Sequence, residues 1–423
     1  MIFLITFIFS SIIFANNFEL PIGLTEDELE IMHIIEDMGS RTDPPISPVR
    51  NIAEYEPMQG VLIRYPFGIS TSLISSMSED VIIYCLVSNN LQTSAYNSMN
   101  NGGVNMDNVE FITGSTDSYW TRDYGPWWVV DGNGDIGIVD FTYNRPRPND
   151  NQAPYKVSQY LNVPYFSADV VSTGGNYMTD GFGIAAATHI AYTENDECNT
   201  NNQSSVPLPP CSYVDDIMEE YYGINTYHVV ADPNNEYIDH IDCWSKFLSP
   251  TKILIREVPT SHSQYQEIEE VAEYFSTAMT YQGTPWEVFR VYTPNDQPYT
   301  NSLILNDKVY VPIMGSSWDG PAIEAYEAAM PNHIILPFTG SWQSTDALHC
   351  RVKGIPDLDY VQYDSGDVNM DEVINILDVV STVNYVLGTE SLSGVQIGIA
   401  DMNDDGTVNI LDVILVVNII LGN

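Results

Sequence analysis

Cys350 closes the run S-W-Q-S-T-D-A-L-H-C (341–350), among small and polar residues. Free cysteines usually sit in apolar strands as small hydrophobes. This one is flanked by His349 and Arg351, two potential cations of the kind that favour a thiolate. Three other stretches carry residues able to work with it. In Y-W-T-R-D-Y-G-P (119–126) Asp123 stands beside Trp120. In Y-I-D-H-I-D (237–242) His240 and Asp242 are two residues apart, which on an extended strand puts both on one face. In N-R-P-R (144–147) Arg145 and Arg147 share a face in the same way, in a chain with only 14 Lys and Arg. By the same parity, His349 on an extended chain points away from Cys350, and Cys243 falls out of phase with Asp242. His240 is therefore the expected proton carrier.

These residue types suit one kind of ligand. A guanidinium is planar, cationic, and presents five donors in a fixed fork. Asp123 and Asp242 on opposite edges would hold it bidentately and fix its central carbon. A thiolate could then attack that carbon while a histidine moves protons to the departing ammonia and from the incoming water. Trp120 would exclude water and stack on the cation. The product would be a ureido group and ammonia. Blander assignments exist for each piece. Asp123 could be an ion pair of Arg122, and Arg145 and Arg147 could be solubilising loop residues. His-x-Asp as a metal site would need a further ligand, and no H-E-x-x-H is present. Cys350, His240 and Asn301 could serve an amide hydrolase, but two carboxylates around an uncharged amide argue against it. His228, His262 and His333 lack supporting neighbours and fit structural positions.

The elements that must position these residues are short strands alternating with helices from Asn51 to Asp357. Strand patterns run over 61–65, 81–87, 127–130, 136–141, 252–258, 288–292 and 308–313, with helical patterns over 264–279 and 321–330. Asp131-Gly-Asn-Gly134 reads as a hairpin turn between two of the strands. Hairpins mixed with crossover helices define an α/β or α+β domain with mixed sheets. Ahead of it, Thr25-Glu-Asp-Glu28 is a capping box opening a helix to about Met38, and 43–49 reads as a linker, so 16–50 precede the catalytic segment.

The chain has 423 residues, 44% of them hydrophobic, and a net charge of −43. That length allows a large core and a smaller module. So negative a surface excludes nucleic acid and anionic membranes as partners and favours cations. The apolar run 1–15 fits a secretory signal cut near Ala15, and no other stretch could span a bilayer. Of five cysteines, Cys85 lies in an apolar strand, Cys198 and Cys211 bracket a polar loop and could pair, and an odd count leaves a free thiol.

After a short stretch at 358–366 the composition changes, with no Lys or Arg beyond Lys353. Two segments then align: 367–378 and 401–412 each read D-x-N-x-D-x-x-x-N-x-x-D and lead into an apolar helix. Oxygen ligands at positions 1, 3, 5, 7, 9 and 12 suit a hard ion of calcium size. They are Asp367, Asn369, Asp371, the Val373 carbonyl, Asn375 and Asp378, then Asp401, Asn403, Asp405, the Thr407 carbonyl, Asn409 and Asp412. Gly406 stands at the sharp turn of the second loop, where the first has Glu372. The expectation is two structural Ca²⁺ sites in a small all-α unit over 367–423.

That unit resembles a dockerin, which implies docking onto a cohesin-like partner. Both copies carry Ile-Leu (376–377 and 410–411) where dockerins often read their partner. The catalytic segment resembles the guanidino-group-modifying enzymes, specifically the agmatine deiminases and bacterial peptidylarginine deiminases. The matching stretches are E-Y-E-P-M-Q-G-V-L-I-R-Y-P (54–66), W-T-R-D-Y-G-P (120–126), G-G-N-Y-M-T-D-G (174–181), H-I-D (240–242) and D-A-L-H-C (346–350). Y-N-R-P-R-P-N-D (143–150), D-P-N-N-E-Y-I-D-H-I-D-C-W (232–244) and Y-T-N-S-L-I-L-N (299–306) are similar to the peptidylarginine deiminases in particular. The resemblance implies a five-fold pseudo-symmetric α/β propeller (pentein) over 51–357, needing no cofactor for catalysis. It implies Cys350 as nucleophile, His240 as general acid/base, Asp123 and Asp242 on the guanidinium, and Asn301 near the thiol. Trp120, Tyr237 and Ile238 would line the arginine channel, and Arg145 and Arg147 would grip the carboxylate of a C-terminal arginine. The expected protein is a secreted or cell-surface bacterial hydrolase of arginine in peptides or proteins. An agmatine deiminase acting on a small guanidino amine is the alternative.

Overall fold

The computed structural model describes residues 20–195, 198, 203–359, 365–369, 373–389, 391–392, 394–403 and 407–422. The expected signal segment and two expected calcium ligands, Asp371 and Asp405, lie outside them.

The strands of the described residues form five sheets with one internal pattern. In each, a first strand runs antiparallel to a second, and the second runs parallel to a third. The triplets are Trp127–Val130, Ile136–Tyr143 and Tyr165–Ser172; Met178–Thr179, Ile184–Thr188 and Thr226–Val230; Ser245–Phe247, Lys252–Glu257 and Glu287–Tyr292; and Leu303–Leu305, Lys308–Ile313 and Ile334–Thr339. The fifth is completed by the two ends of the segment. Lys353–Pro356 pairs antiparallel with Met58–Arg64, which runs parallel to Ile82–Val87. A parallel pair needs a crossover, and a helix supplies it each time. Ser212–Tyr222 buries Val214, Ile217, Met218 and Tyr221, and Tyr265–Thr277 buries Ile268, Val271, Ala272 and Phe275. Both sets follow the three-and-four spacing of one helical face.

The local signals explain the turns. In the 131–134 hairpin the Asp131 carboxylate accepts the Asn133 and Asp135 amides at 2.8 and 3.1 Å, and Gly134 takes a φ of +84° that a side chain would resist. The Thr25 capping box forms, but the helix it opens ends at Glu30 and resumes as Ile34–Met38. Three-residue hydrogen bonds from Ile31, Ile34 and Ile35 tighten the chain between the two, so that Glu28 and Ile35 are both buried. Cys198 and Cys211 are joined in a disulfide, and Cys85, Cys243 and Cys350 are free and buried.

Beyond residue 365, Ile376–Val386 packs on Ile410–Leu421, with Gly394–Ala400 between them in sequence. Val368, Ile399 and Ala400 form a small core. Among the described residues no helix is long and apolar enough to cross a membrane.

Candidate active site

Each module delivers its key residue from the loop just ahead of its first strand. Asp123 lies on the turn of helix Thr121–Tyr124 before Trp127, and Gly175 in the turn Gly174–Asn176 before Met178. His240 and Asp242 precede Ser245, Asn301 precedes Leu303, and Cys350 lies in the turn His349–Arg351 before Lys353. Five equivalent loop ends thus converge on one centre.

Asn301 holds the cysteine turn in place. Its side-chain carbonyl accepts the His349 amide at 2.9 Å, and its amide nitrogen lies 3.3 Å from Cys350 Sγ. Asp242 Oδ2 is 3.8 Å from the same sulfur. His240 Nδ1 faces Asp123 Oδ1 at 3.6 Å. That oxygen and both His240 ring nitrogens are buried with no hydrogen-bond partner. Gly175 leaves the space between them open, since a Cβ there would lie 2.5 Å from Asp123 Oδ1 and 2.6 Å from His240 Nδ1. Cys350, Asp123, His240 and Asn301 are all at most 1% exposed.

Two parity expectations change. Residues 241–243 and 349–351 form 3-10 turns, not strands, so alternation does not apply there. His349 consequently faces the centre. Its Nδ1 meets Asp242 Oδ2 at 2.7 Å and its Nε2 meets Glu54 Oε2 at 2.6 Å. Glu54 also pairs with Arg122 at 2.7 Å and Lys246 at 2.9 Å. Burial opposes ionisation of Glu54, but His349, Lys246 and Arg122 hold its carboxyl well below the usual range. Burial is likewise outweighed at Asp242 by the hydrogen bond and charge of His349, and its pKa is lowered. Burial and Arg122 pull the His349 pKa down, while Glu54 and Asp242 act against them. The short contacts decide its state: a ring meeting two ionised carboxylates donates from both nitrogens, as an imidazolium. His349 thus orients Asp242 and keeps it charged. Glu54 had no site-like spacing in the sequence, lying nearly 300 residues from His349, and His349 was set aside only by the strand parity that fails here.

The surroundings of Cys350 disfavour the thiolate. Burial, then Asp242, Asp123 and Asp346, push the Cys350 thiol well up. Arg351 does not offset this, because Asp346 pairs with it at 2.6 Å. Burial lowers His240 to about 4, and burial with the Asp242 charge raises Asp123 well above its ordinary range.

The expected channel residues have other partners in this conformation. Trp120 faces the Arg351 guanidinium at 5.4 Å, and its indole N–H donates to the Leu20 carbonyl at 3.2 Å. Tyr237 is 66% exposed and Ile238 is buried. Arg145 Nε donates to the Ile22 carbonyl at 3.2 Å, and Arg147 pairs with Glu28 at 2.7 Å.

In the C-terminal unit Asp367, Asp378 and Asp412 are almost wholly buried. Asp378 accepts the Asn369 and Asn375 amides at 3.0 and 2.8 Å, and Asp412 accepts those of Met402 and Asn409, both at 2.8 Å. In each loop, amides from both flanks of the described residues thereby meet the last carboxylate. Asn375 and Asn409 cap the following helices, accepting from Leu377 and Leu411 at 2.8 and 2.9 Å. Buried carboxylates of this kind are the ligand type a hard cation takes.

The five-sheet fold thus brings a cysteine, a histidine and two aspartates into one buried centre. The sequence model of the Porphyromonas-type peptidyl-arginine deiminases matches residues 52–356, and the chain belongs to that family, whose hydrolases act on C–N bonds and need no catalytic cofactor. Residues 365–421 match the dockerin type I domain, a domain that typically binds calcium and engages cohesins. An agmatine deiminase of Medicago truncatula is 24% identical over 59% of this chain and 79% of its own length. The solved agmatine deiminase of C. jejuni covers 73% of this chain and 96% of its own, with a TM-score of 0.59 at 17% identity. That of Enterococcus faecalis covers 76% and 97%, with a TM-score of 0.61 at 17% identity. These solved structures are similar in fold.

Proposed function

We propose that the chain is a secreted peptidylarginine deiminase that converts arginine at the C-terminus of peptides to citrulline and ammonia. The observation that carries the chemistry is the unpartnered Asp123 oxygen beside the unpartnered His240 ring, in the centre that holds the thiol. Buried polar atoms without partners need an explanation, and a guanidinium between Asp123 and Asp242 would satisfy them. In this reading Cys350 Sγ attacks the guanidinium carbon after its proton passes to His240. His240 returns that proton to the departing nitrogen, and ammonia leaves a thiouronium on Cys350. Water, deprotonated by His240, attacks the same carbon; the C–S bond breaks, giving the ureido group and restoring the thiol. Asn301 would hold the sulfur in line, and Trp120, Tyr237 and Ile238 would wall the side-chain channel.

The preference for a C-terminal arginine rests on Arg145 and Arg147. They are two buried guanidinia in an acidic chain, and both act on the Asp123 charge. A bidentate contact with a carboxylate is worth roughly 1.5–3 kcal/mol per charge-assisted bond. The second reading is an agmatine deiminase-type enzyme. It is favoured by the Glu28 carboxylate already on Arg147, since a small amine needs no carboxylate subsite. In the C-terminal unit each of the two loops would hold one Ca²⁺, with Asp371 and Asp405 completing the shells, and the unit would dock onto a cohesin-like partner outside the cell.

The test is ureido production from three substrates: a peptide ending in arginine, the same peptide amidated, and agmatine. Turnover of the arginine peptides and not agmatine is expected, with Arg147→Gln lowering kcat/KM on the free peptide alone. Turnover of agmatine alone would overturn the peptide reading.

A further inference from the structure

The segment from Leu20 to Glu28 lies on the side chains assigned to the substrate. Its backbone carbonyls supply acceptors in sequence. Leu20 takes the Trp120 indole N–H at 3.2 Å, Pro21 and Gly23 take Arg147 Nη2 at 2.7 and 3.0 Å, and Ile22 takes Arg145 Nε at 3.2 Å. Ile22 is 3% exposed within the main core. Gly23 passes so close to Tyr237 that a Cβ would lie 2.4 Å from its ring. Glu28 completes the set. Its carboxylate meets Arg147 Nε at 2.7 Å and Nη2 at 3.2 Å, a two-point contact on one edge of the guanidinium. The Thr25 amide and hydroxyl hold Glu28 Oε2 at 2.8 and 3.0 Å, so the carboxylate is delivered in a fixed pose. Glu28 is 7% exposed and Arg147 is 1% exposed.

A carboxylate on the fork of Arg147 is chemically what the end of a peptide would present there. We infer that Glu28 is a specificity-determining residue: it occupies the carboxylate subsite from within the chain, and a peptide's C-terminus gains Arg147 only by displacing it. This rests on the proposed reading of Arg145 and Arg147 as the carboxylate clamp. An intramolecular competitor acts at a high effective concentration. Wild-type enzyme therefore prefers a free over an amidated C-terminus by less than the clamp alone would give, because Glu28 must first be displaced. Displacement affects binding and leaves the chemical step at Cys350 alone, so Glu28 raises KM for the free peptide without lowering kcat.

The readout is the ratio of kcat/KM for a peptide ending in free arginine to that for its amide, in the full-length chain. Glu28→Gln keeps the size and loses the charge. The ratio should rise about tenfold through KM alone, as expected when a charge-assisted contact becomes a neutral one. A merely structural role for Glu28 would change both substrates together. A wild-type ratio already large and unchanged in Glu28→Gln would overturn the competition while leaving the clamp standing. A ratio near one in wild type, Glu28→Gln and Arg147→Gln alike would sink the clamp and the inference with it. A second measurement survives poor folding of the Glu28 variant. In Cys350→Ala, saturating free peptide should increase hydrogen exchange of the amides of residues 28–31, and the amidated peptide should not. Unchanged exchange with bound free peptide would also overturn the inference.

Discussion

Ionisation of Cys350 should depend on the substrate's own charge. Burial and three carboxylates hold the thiol protonated. A guanidinium gripped by Asp242, whose Oδ2 is 3.8 Å from the sulfur, would bring a positive charge within about 4 Å of Sγ. At an effective dielectric constant of about 20 that interaction is worth about 4 kcal/mol, or about 3 pKa units. The perturbation is therefore ligand binding itself, read in a His240→Asn variant that binds without completing turnover. Thiolate absorbance in the ultraviolet is titrated with and without saturating substrate, using Cys350→Ser in the same background as the blank. Burial pushes the Cys85 and Cys243 thiols well up, so neither contributes a thiolate at neutral pH. The expected outcome is a Cys350 titration displaced downward by about 3 units when ligand is bound. An unchanged midpoint would refute the placement of the guanidinium between Asp123 and Asp242.

Two further outcomes follow from the packing. Glu54→Gln removes the anion shared by Arg122, Lys246 and His349. Leaving such charges without their partner costs about 3 kcal/mol, to be checked by denaturant unfolding, and freeing His349 from its anchor should lower kcat/KM at least about tenfold. Stability equal to wild type would show that the cluster is not coupled to the fold. Chelation with EDTA should reduce the helical circular dichroism of the 365–421 unit while deiminase activity on a soluble peptide persists. Loss of activity in parallel would tie the metal to the catalytic segment.

The sequence carried much of the fold because its signals are local. The strands near 127–130, 252–257 and 308–313 appear where their apolar runs stand, and the Asp131–Gly134 turn forms as its composition dictates. Cys350, Asp123, His240, Asp242 and Asn301 come together although up to 227 residues separate two facing sides of the centre, Arg122 and His349. Alternation failed at 240–243 and 349–351 because the site is built from turns at strand entrances, where side-chain direction is set by tertiary contacts. Glu54 was invisible and His349 was turned the wrong way for the same reason: their meaning lies in a contact across the fifth sheet's closure, between the two ends of the segment. The role of Glu28 was hidden behind its capping box. The motif explained the residue locally, and nothing in the spacing pointed from Glu28 to Arg147.

In the proposed reaction Cys350 attacks the guanidinium carbon. Acid quenching during turnover of an arginine peptide, followed by digestion and mass spectrometry, tests it directly. A thiouronium adduct is expected on the peptide containing Cys350, formed with release of one ammonia, absent without substrate, and lost with activity in Cys350→Ser. Continued ureido production by Cys350→Ser, or an adduct on Cys243 in place of Cys350, would contradict it.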